Sequence, residues 1–332
     1  MMWRFLLWIP DNAPGMDWIS CCPCGFCRRP STVMHSHNTQ AYHRGLGLAL
    51  LAQLIWGVAA LYWAQTRPVE ATDLLSHRVL WSLPVLAICV TILKQWPQWF
   101  AVFRSLRSLG VMGLCAGLAG LNWGIFLWAV THGQAAQASM GYFLLPLINI
   151  AIGLLFFRET LDARQKVAVA CAVAAVMIMV QGGQGIPYVA LGVSLSFGIY
   201  SAIRKGVSVG GVVGLLVEIQ LLAPIALWWF VTRDGAGLGR YGLSVDGFLL
   251  GSGLLTAVPL MAYVSATRLM PLSAMGLLSY LAPTTQLIVA ITLLGESITQ
   301  LQIIAFALVW LGLAVAHASQ LKNVLLLGRR EK

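Results

Sequence analysis

Charge is scarce in this chain. Asp, Glu, Lys and Arg make up 10% of its 332 residues, and only 11 are acidic, while 59% are hydrophobic. A soluble domain of this size has no interior large enough for so much apolar surface, so the chain reads as a polytopic helical membrane protein. Alternating apolar and polar residues are missing from the hydrophobic stretches, which excludes an outer-membrane barrel. Catalytic and nucleotide-binding signatures are missing too. There is no Walker motif, so ATP is not the direct energy source. There is no HExxH, GxSxG or paired-Asp motif to serve a membrane-embedded enzyme, and His77, His132 and His317 stand apart from one another.

What is present is a series of long apolar runs. Ten are expected to span the bilayer: Gly45–Ala64, Leu75–Leu93, Leu109–Val130, Ala136–Phe157, Val167–Val180, Pro187–Ile203, Val212–Val231, Phe248–Ala266, Leu272–Leu294 and Ile303–Ser319. Each approaches the ~20 residues that cross ~30 Å of hydrocarbon. The net charge of +10 follows this topology. With the N-terminus in the cytoplasm, 17 of the 21 basic residues fall on cytoplasmic segments; Arg67, Arg233 and Arg240 fall outside and Arg78 within a span. This is the positive-inside pattern, which places both termini in the cytoplasm and accounts for the basic charge without a nucleic-acid partner.

Residues 1–43 differ from the rest. Cys21, Cys24 and Cys27 have thiolate-ligand spacing, but no second Cys-x-x-Cys pair follows, so no metal site is expected. The run Trp3–Ile9 is too short for a signal peptide. Met34 offers a start just before the first span, so this tail is read as either an unfolded segment or a start-site artefact. Cys89, Cys115 and Cys171 lie within spans and read as packing residues.

The sequence repeats. Ala129, Pro146 and Glu159 share their spacings with Ala266, Pro283 and Glu296, at an offset of 137 residues. Trp56-Gly57 in the first span matches Phe197-Gly198 in the sixth. The expected division is residues 1–43 as tail, 44–182 and 186–319 as five-helix repeats, and 320–332 as a cytoplasmic tail. An odd number of spans per half makes the halves inverted about an axis in the membrane plane. Pro146 and Pro283 fall near mid-depth and are expected to break their helices beside a cavity. Glu159 and Glu296 mark helix ends and are read as boundary residues that cap the next helix.

The repeat sets opposite charges at corresponding places. Arg78 stands six residues before Pro84, and Glu218 six before Pro224. Ionisable groups in spans are costly and face a cavity or a partner. Their depths differ by about 13 Å, so a path shared by both is expected rather than a direct salt bridge.

His77-Arg78-Val79-Leu80-Trp81-Ser82 resembles the HRxxWS signature of RarD-type transporters, in the EamA group of the drug/metabolite transporter superfamily. Asn122-Trp123-Gly124, His132-Gly133, the run Ala138 to Phe143 with Pro146-Leu147, Leu216-Val217-Glu218, Pro259-Leu260, Gly276 to Tyr280 and Pro283-Thr284 resemble it as well. The likeness runs from about Gly45 to Ser319. Ala60 and Ala64 stand where a proline and a lysine are usual, Ile219 replaces the usual threonine, and residues 1–43 have no counterpart. The family implies a membrane transporter of drugs or metabolites.

The expected function is therefore secondary transport of a small organic solute across the bacterial cytoplasmic membrane. Its candidate pathway residues are Arg78, Glu218, His77, Trp56, Asn122, Trp123, Tyr142, Asn149, Tyr280 and Gln286, with Glu218 as proton carrier if protons are the coupling ion. No cofactor is implied. The competing classes are a membrane sensor or scaffold without transport, and a membrane-embedded enzyme.

Overall fold

The computed structural model describes residues 39–157, 163–181, 186–233, 237–270 and 272–316. The cysteine-bearing tail, Glu159 and the segment 320–332 lie outside these residues. Among the described residues every regular element is a helix. In order these are α1 (Thr39–Ala64), α2 (Ala71–Ile92), α3 (Trp96–Phe103), α4 (Leu106–Thr131), α5 (Ala135–Phe157) and α6 (Ala163–Met179). There follow α7 (Tyr188–Lys205), α8 (Gly211–Thr232), α9 (Leu243–Thr267), α10 (Leu272–Leu278), α11 (Leu281–Thr292) and α12 (Gln300–Ala316).

Seven candidate spans are long and apolar enough to cross a membrane, in α1, α2, α4, α5, α8, α9 and the stretch Ala274–Thr292. The 22 residues of α2 rise ~33 Å, a full hydrocarbon thickness. Within the described residues each expected segment contains helix, although α6 and α12 have only 17 residues each. The ninth segment is divided: Ser279 and Tyr280 separate α10 from α11, and Pro283 stands in the first turn of α11. In contrast to the expected break at Pro146, α5 runs through that proline without interruption. Prolines also sit inside α2, α8 and α9. Membrane helices tolerate the lost backbone bond where neighbouring groups or water satisfy the freed carbonyl.

Burial is distributed as lipid demands. Large apolar side chains such as Ile88, Leu121, Trp228 and Ile303 face outward, while Ala52, Ala129, Ala138, Ala190 and Ala290 are fully buried. Small residues at interfaces let helix backbones approach closely, which supplies packing where no hydrophobic effect operates. Polar side chains are turned inward: Gln53, Ser82, Asn122, Ser139, Glu218 and Gln286 are all buried. Short α3 opens with Pro97 at its start, and its Trp99 indole donates to Gln220 of α8 at 2.7 Å.

Helix α2 packs against α8, and α6 against α12. Helix α1 lies against α9 and α11, while α7 lies against α4 and α5. Helix α5 also meets α11, α2 meets α9, and α4 meets α8. Two glycines mark close approaches between helices. A Cβ on Gly57 of α1 would strike Thr285 of α11 at 2.5 Å, and one on Gly198 of α7 would strike Ile148 of α5 at 2.7 Å. Ile148 and Thr285 are themselves separated by the 137-residue offset.

Candidate functional site

Arg78 is the eighth residue of α2, about 10 Å along the helix from its start. Its guanidinium carbon lies 4.3 Å from the centroid of the Trp123 ring and 5.9 Å from that of Trp63. Such contacts are worth about 0.5–2 kcal/mol, more when water is excluded. Its Nε is buried without a hydrogen-bond partner. Among the described residues no carboxylate forms an ion pair with Arg78. Tyr142 of α5 is within electrostatic reach. The Tyr142 hydroxyl donates to Asn122 Oδ1 at 3.2 Å. The Asn122 amide nitrogen in turn donates to the Val193 carbonyl at 2.9 Å and the Ser196 hydroxyl at 3.1 Å. Asn122 thus ties α4 to α7 and fixes the tyrosine.

Glu218 is the eighth residue of α8, matching Arg78 in register. It belongs to a second cluster. Its carboxylate is fully buried, takes Arg204 Nε of α7 at 3.3 Å and accepts from the Tyr200 hydroxyl at 3.2 Å. The space for Arg204 comes from Gly214, where a Cβ would collide with the guanidinium. A third cluster joins the start of α2 to the end of α8. Arg233 bonds Glu70 at 2.5 Å and approaches Asp73 at 3.9 Å, while the Trp229 indole donates to Asp73 at 2.8 Å.

The sequence relatives agree with one another. The EamA-like transporter family model matches residues 43–181. Protein RarD of Salmonella typhi is 34% identical over 275 residues, 82% of this chain and 94% of the relative. Protein RarD of Escherichia coli (strain K12) is 32% identical over 275 residues, covering 82% of this chain and 93% of its own length. This chain belongs to the RarD-type EamA transporters. The uncharacterized transporter YojE of Bacillus subtilis is 33% identical over 285 residues, 84% of this chain and 95% of the relative. A crystal structure of a protein 18% identical has a TM-score of 0.54, covering 84% of this chain and 99% of that chain, which is a likeness of fold.

The remaining candidates of this RarD-type chain take separate places. His77 is buried, accepts the Trp81 indole N–H at 3.1 Å and meets Phe230 edge-on. Trp56 contacts Tyr263 with ring centroids 5.5 Å apart. Tyr280 is at the α10–α11 junction, where its carbonyl accepts the Thr284 hydroxyl at 2.7 Å. Asn149 is exposed on α5. Gln286 is buried, and its Nε2 has no hydrogen-bond partner. The carbonyl of Pro283 accepts Ser139 Oγ of α5 at 2.7 Å, a polar tie between the helices that carry the two repeat prolines. Glu296 caps not the next helix, α12, but α5: its two carboxylate oxygens accept the backbone N–H groups of Ala135 and Ala136 at 2.7 and 2.8 Å.

Arg204, Tyr200 and Trp63 were not among the sequence candidates. Arg204 reads in sequence as one more cytoplasmic charge. A signal was present nonetheless. Arg204 closes one helix and Glu218 lies two turns into the next, across the short turn around Gly206–Gly210, so a long side chain folding back reaches it.

Proposed function

We propose that this chain is a secondary transporter of a small organic solute that works by alternating access of two inverted five-helix halves, 44–182 and 186–319. It sits in the bacterial cytoplasmic membrane with both termini in the cytoplasm, and α10 and α11 together form one discontinuous span.

One observation carries the reading. Exchanging α1 with α7, α2 with α8, α4 with α9, α5 with the α10–α11 pair and α6 with α12 returns the principal packing pairs. Thus α1–α9 becomes α4–α7, α1–α11 becomes α5–α7, α2–α9 becomes α4–α8, and α2–α8, α5–α11 and α6–α12 return to themselves. The lesser pairs α1–α4, α5–α6 and α5–α12 have no such image among the described residues. The Gly57–Thr285 contact becomes the Gly198–Ile148 contact under that exchange. A two-fold of this kind gives two packings of equal kind, which is what rocking one half against the other requires. The halves meet along many helix pairs, and charged residues gather at one of them, α2–α8. The basic-residue count supports the orientation.

Coupling to protons through Glu218 fits a buried carboxylate held by one arginine and one tyrosine. Arg78, Trp123 and Tyr142 supply a contact surface for the solute. The test is comparative metabolite and drug accumulation in cells with and without the gene, with inside-out vesicles to fix direction. A solute whose distribution depends on the gene supports transport; unchanged pools and no vesicle flux favour a sensor or scaffold.

A further inference from the structure

We propose that Arg78 is the head-group site for a monovalent organic acid, a single carboxylate carried on a planar apolar body; this names the substrate class and rests on the transporter reading above. The guanidinium spends its face on Trp123 and leaves its edge unspent. The Nε hydrogen points to no acceptor, although the atom is buried. A free in-plane guanidinium edge matches a carboxylate, which accepts two parallel N–H bonds.

The surrounding polar groups narrow the choice. Asn122 has both amide hydrogens committed to Val193 and Ser196, and its oxygen accepts from Tyr142. It is a positioning residue with no donor to offer a solute. Asp73, the acidic residue of α2, is held by Trp229 and Arg233. Glu218 is occupied by Arg204 and Tyr200. The free donor of this cluster is therefore the Arg78 edge, and it selects a head group that only accepts. An amide or an ammonium group brings hydrogens of its own, and a guanidinium, which has only donors, accepts none of them.

Charge counting sets the valence. One cation is available at this place in the bundle, so a monoanion is neutralised, while a dianion carries an uncompensated charge into the span. The body of the solute follows from the neighbours. Trp123 and Tyr142 are partly accessible, and Trp63, Phe126 and Phe197 stand beside or behind them. Aromatic walls favour a flat apolar partner.

The experiment is a tryptophan-fluorescence titration of the purified full chain in lipid nanodiscs. The probes are 3-phenylpropionate, its neutral amide, phenethylammonium and the dianion phenyl phosphate. Saturable binding of the acid, about tenfold or more tighter than each of the others, is expected. R78Q should remove that preference, and R78K, which keeps the charge without the planar fork, should fall between. Equal binding of acid and amide, equal binding of acid and phenyl phosphate, or an acid preference that survives R78Q overturns the proposal. Should R78Q fail to give a monodisperse protein, the acid–amide comparison on the wild type decides alone. Flux in proteoliposomes separates the two claims. Acid-selective binding without flux of any solute sinks the transporter reading, whereas flux of other solutes without acid selectivity sinks the Arg78 assignment.

Discussion

Arg204 Nε lies 3.3 Å from Glu218 Oε1, so the buried carboxylate of α8 is answered by the last turn of α7 and not by Arg78. The two partners are unequal. Glu218 is fully buried, while the Arg204 side chain remains 15% exposed. Arg204→Ala strands a charge in the interior and should cost about 3–5 kcal/mol. Glu218→Ala frees an arginine that reaches water at the helix end and should cost less. Thermal unfolding of the two variants in detergent measures the order; a reversed order would contradict this assignment of the pair.

Gly214→Ala tests the same cluster from the side. The added methyl group meets the Arg204 guanidinium, which must leave its seat. A loss of about 1–3 kcal/mol is expected. The loss should shrink in an Arg204→Ala background, where the obstacle is gone. Equal losses in both backgrounds would mean that Gly214 serves some other contact.

Glu218→Gln keeps the shape and the Tyr200 contact but cannot release a proton. Gradient-driven accumulation should disappear while membrane insertion and the unfolding temperature stay near wild type. Uptake unchanged in energised vesicles would remove Glu218 from the coupling path.

Much of this arrangement is legible in the sequence because lipid leaves few alternatives. Apolar runs must become helices, and both Pro146 and Pro283 stand within them, in α5 and α11. The chain is divided at Ser279 and Tyr280, ahead of Pro283, whereas α5 is continuous through Pro146. In the first turn of α11 the N–H that Pro283 lacks would have no intrahelical partner, whereas Pro146 costs α5 one bond inside the helix. Periodicity likewise does not reveal which face a neighbour covers, so Asn149 is exposed on the same helix as half-buried Tyr142. The partner of Glu218 was hidden for a related reason. A charge at a helix end reads as loop until the tertiary fold bends it back.

The capping role of Glu296 ties the start of α5 to the segment between α11 and α12. Two charge-assisted bonds at a helix N-terminus also favour the helix dipole. Glu296→Ala should lower stability by about 1 kcal/mol or somewhat more. Glu296→Gln should recover part of that, through its one remaining acceptor oxygen. Differential scanning fluorimetry of the series checks the ranking, and an unchanged midpoint for Glu296→Ala would show the contact to be idle.

Alternating access is tested most directly at Glu70 and Arg233, whose side chains meet at 2.5 Å and join the start of α2 to the end of α8. The measurement is solute flux in proteoliposomes carrying E70C and R233C with the other cysteines replaced, before and after bridging with a short reducible crosslinker. Flux should stop when the bridge forms and return when it is reduced, because the halves can no longer part on that side. Equal flux in the bridged and reduced states would contradict the account.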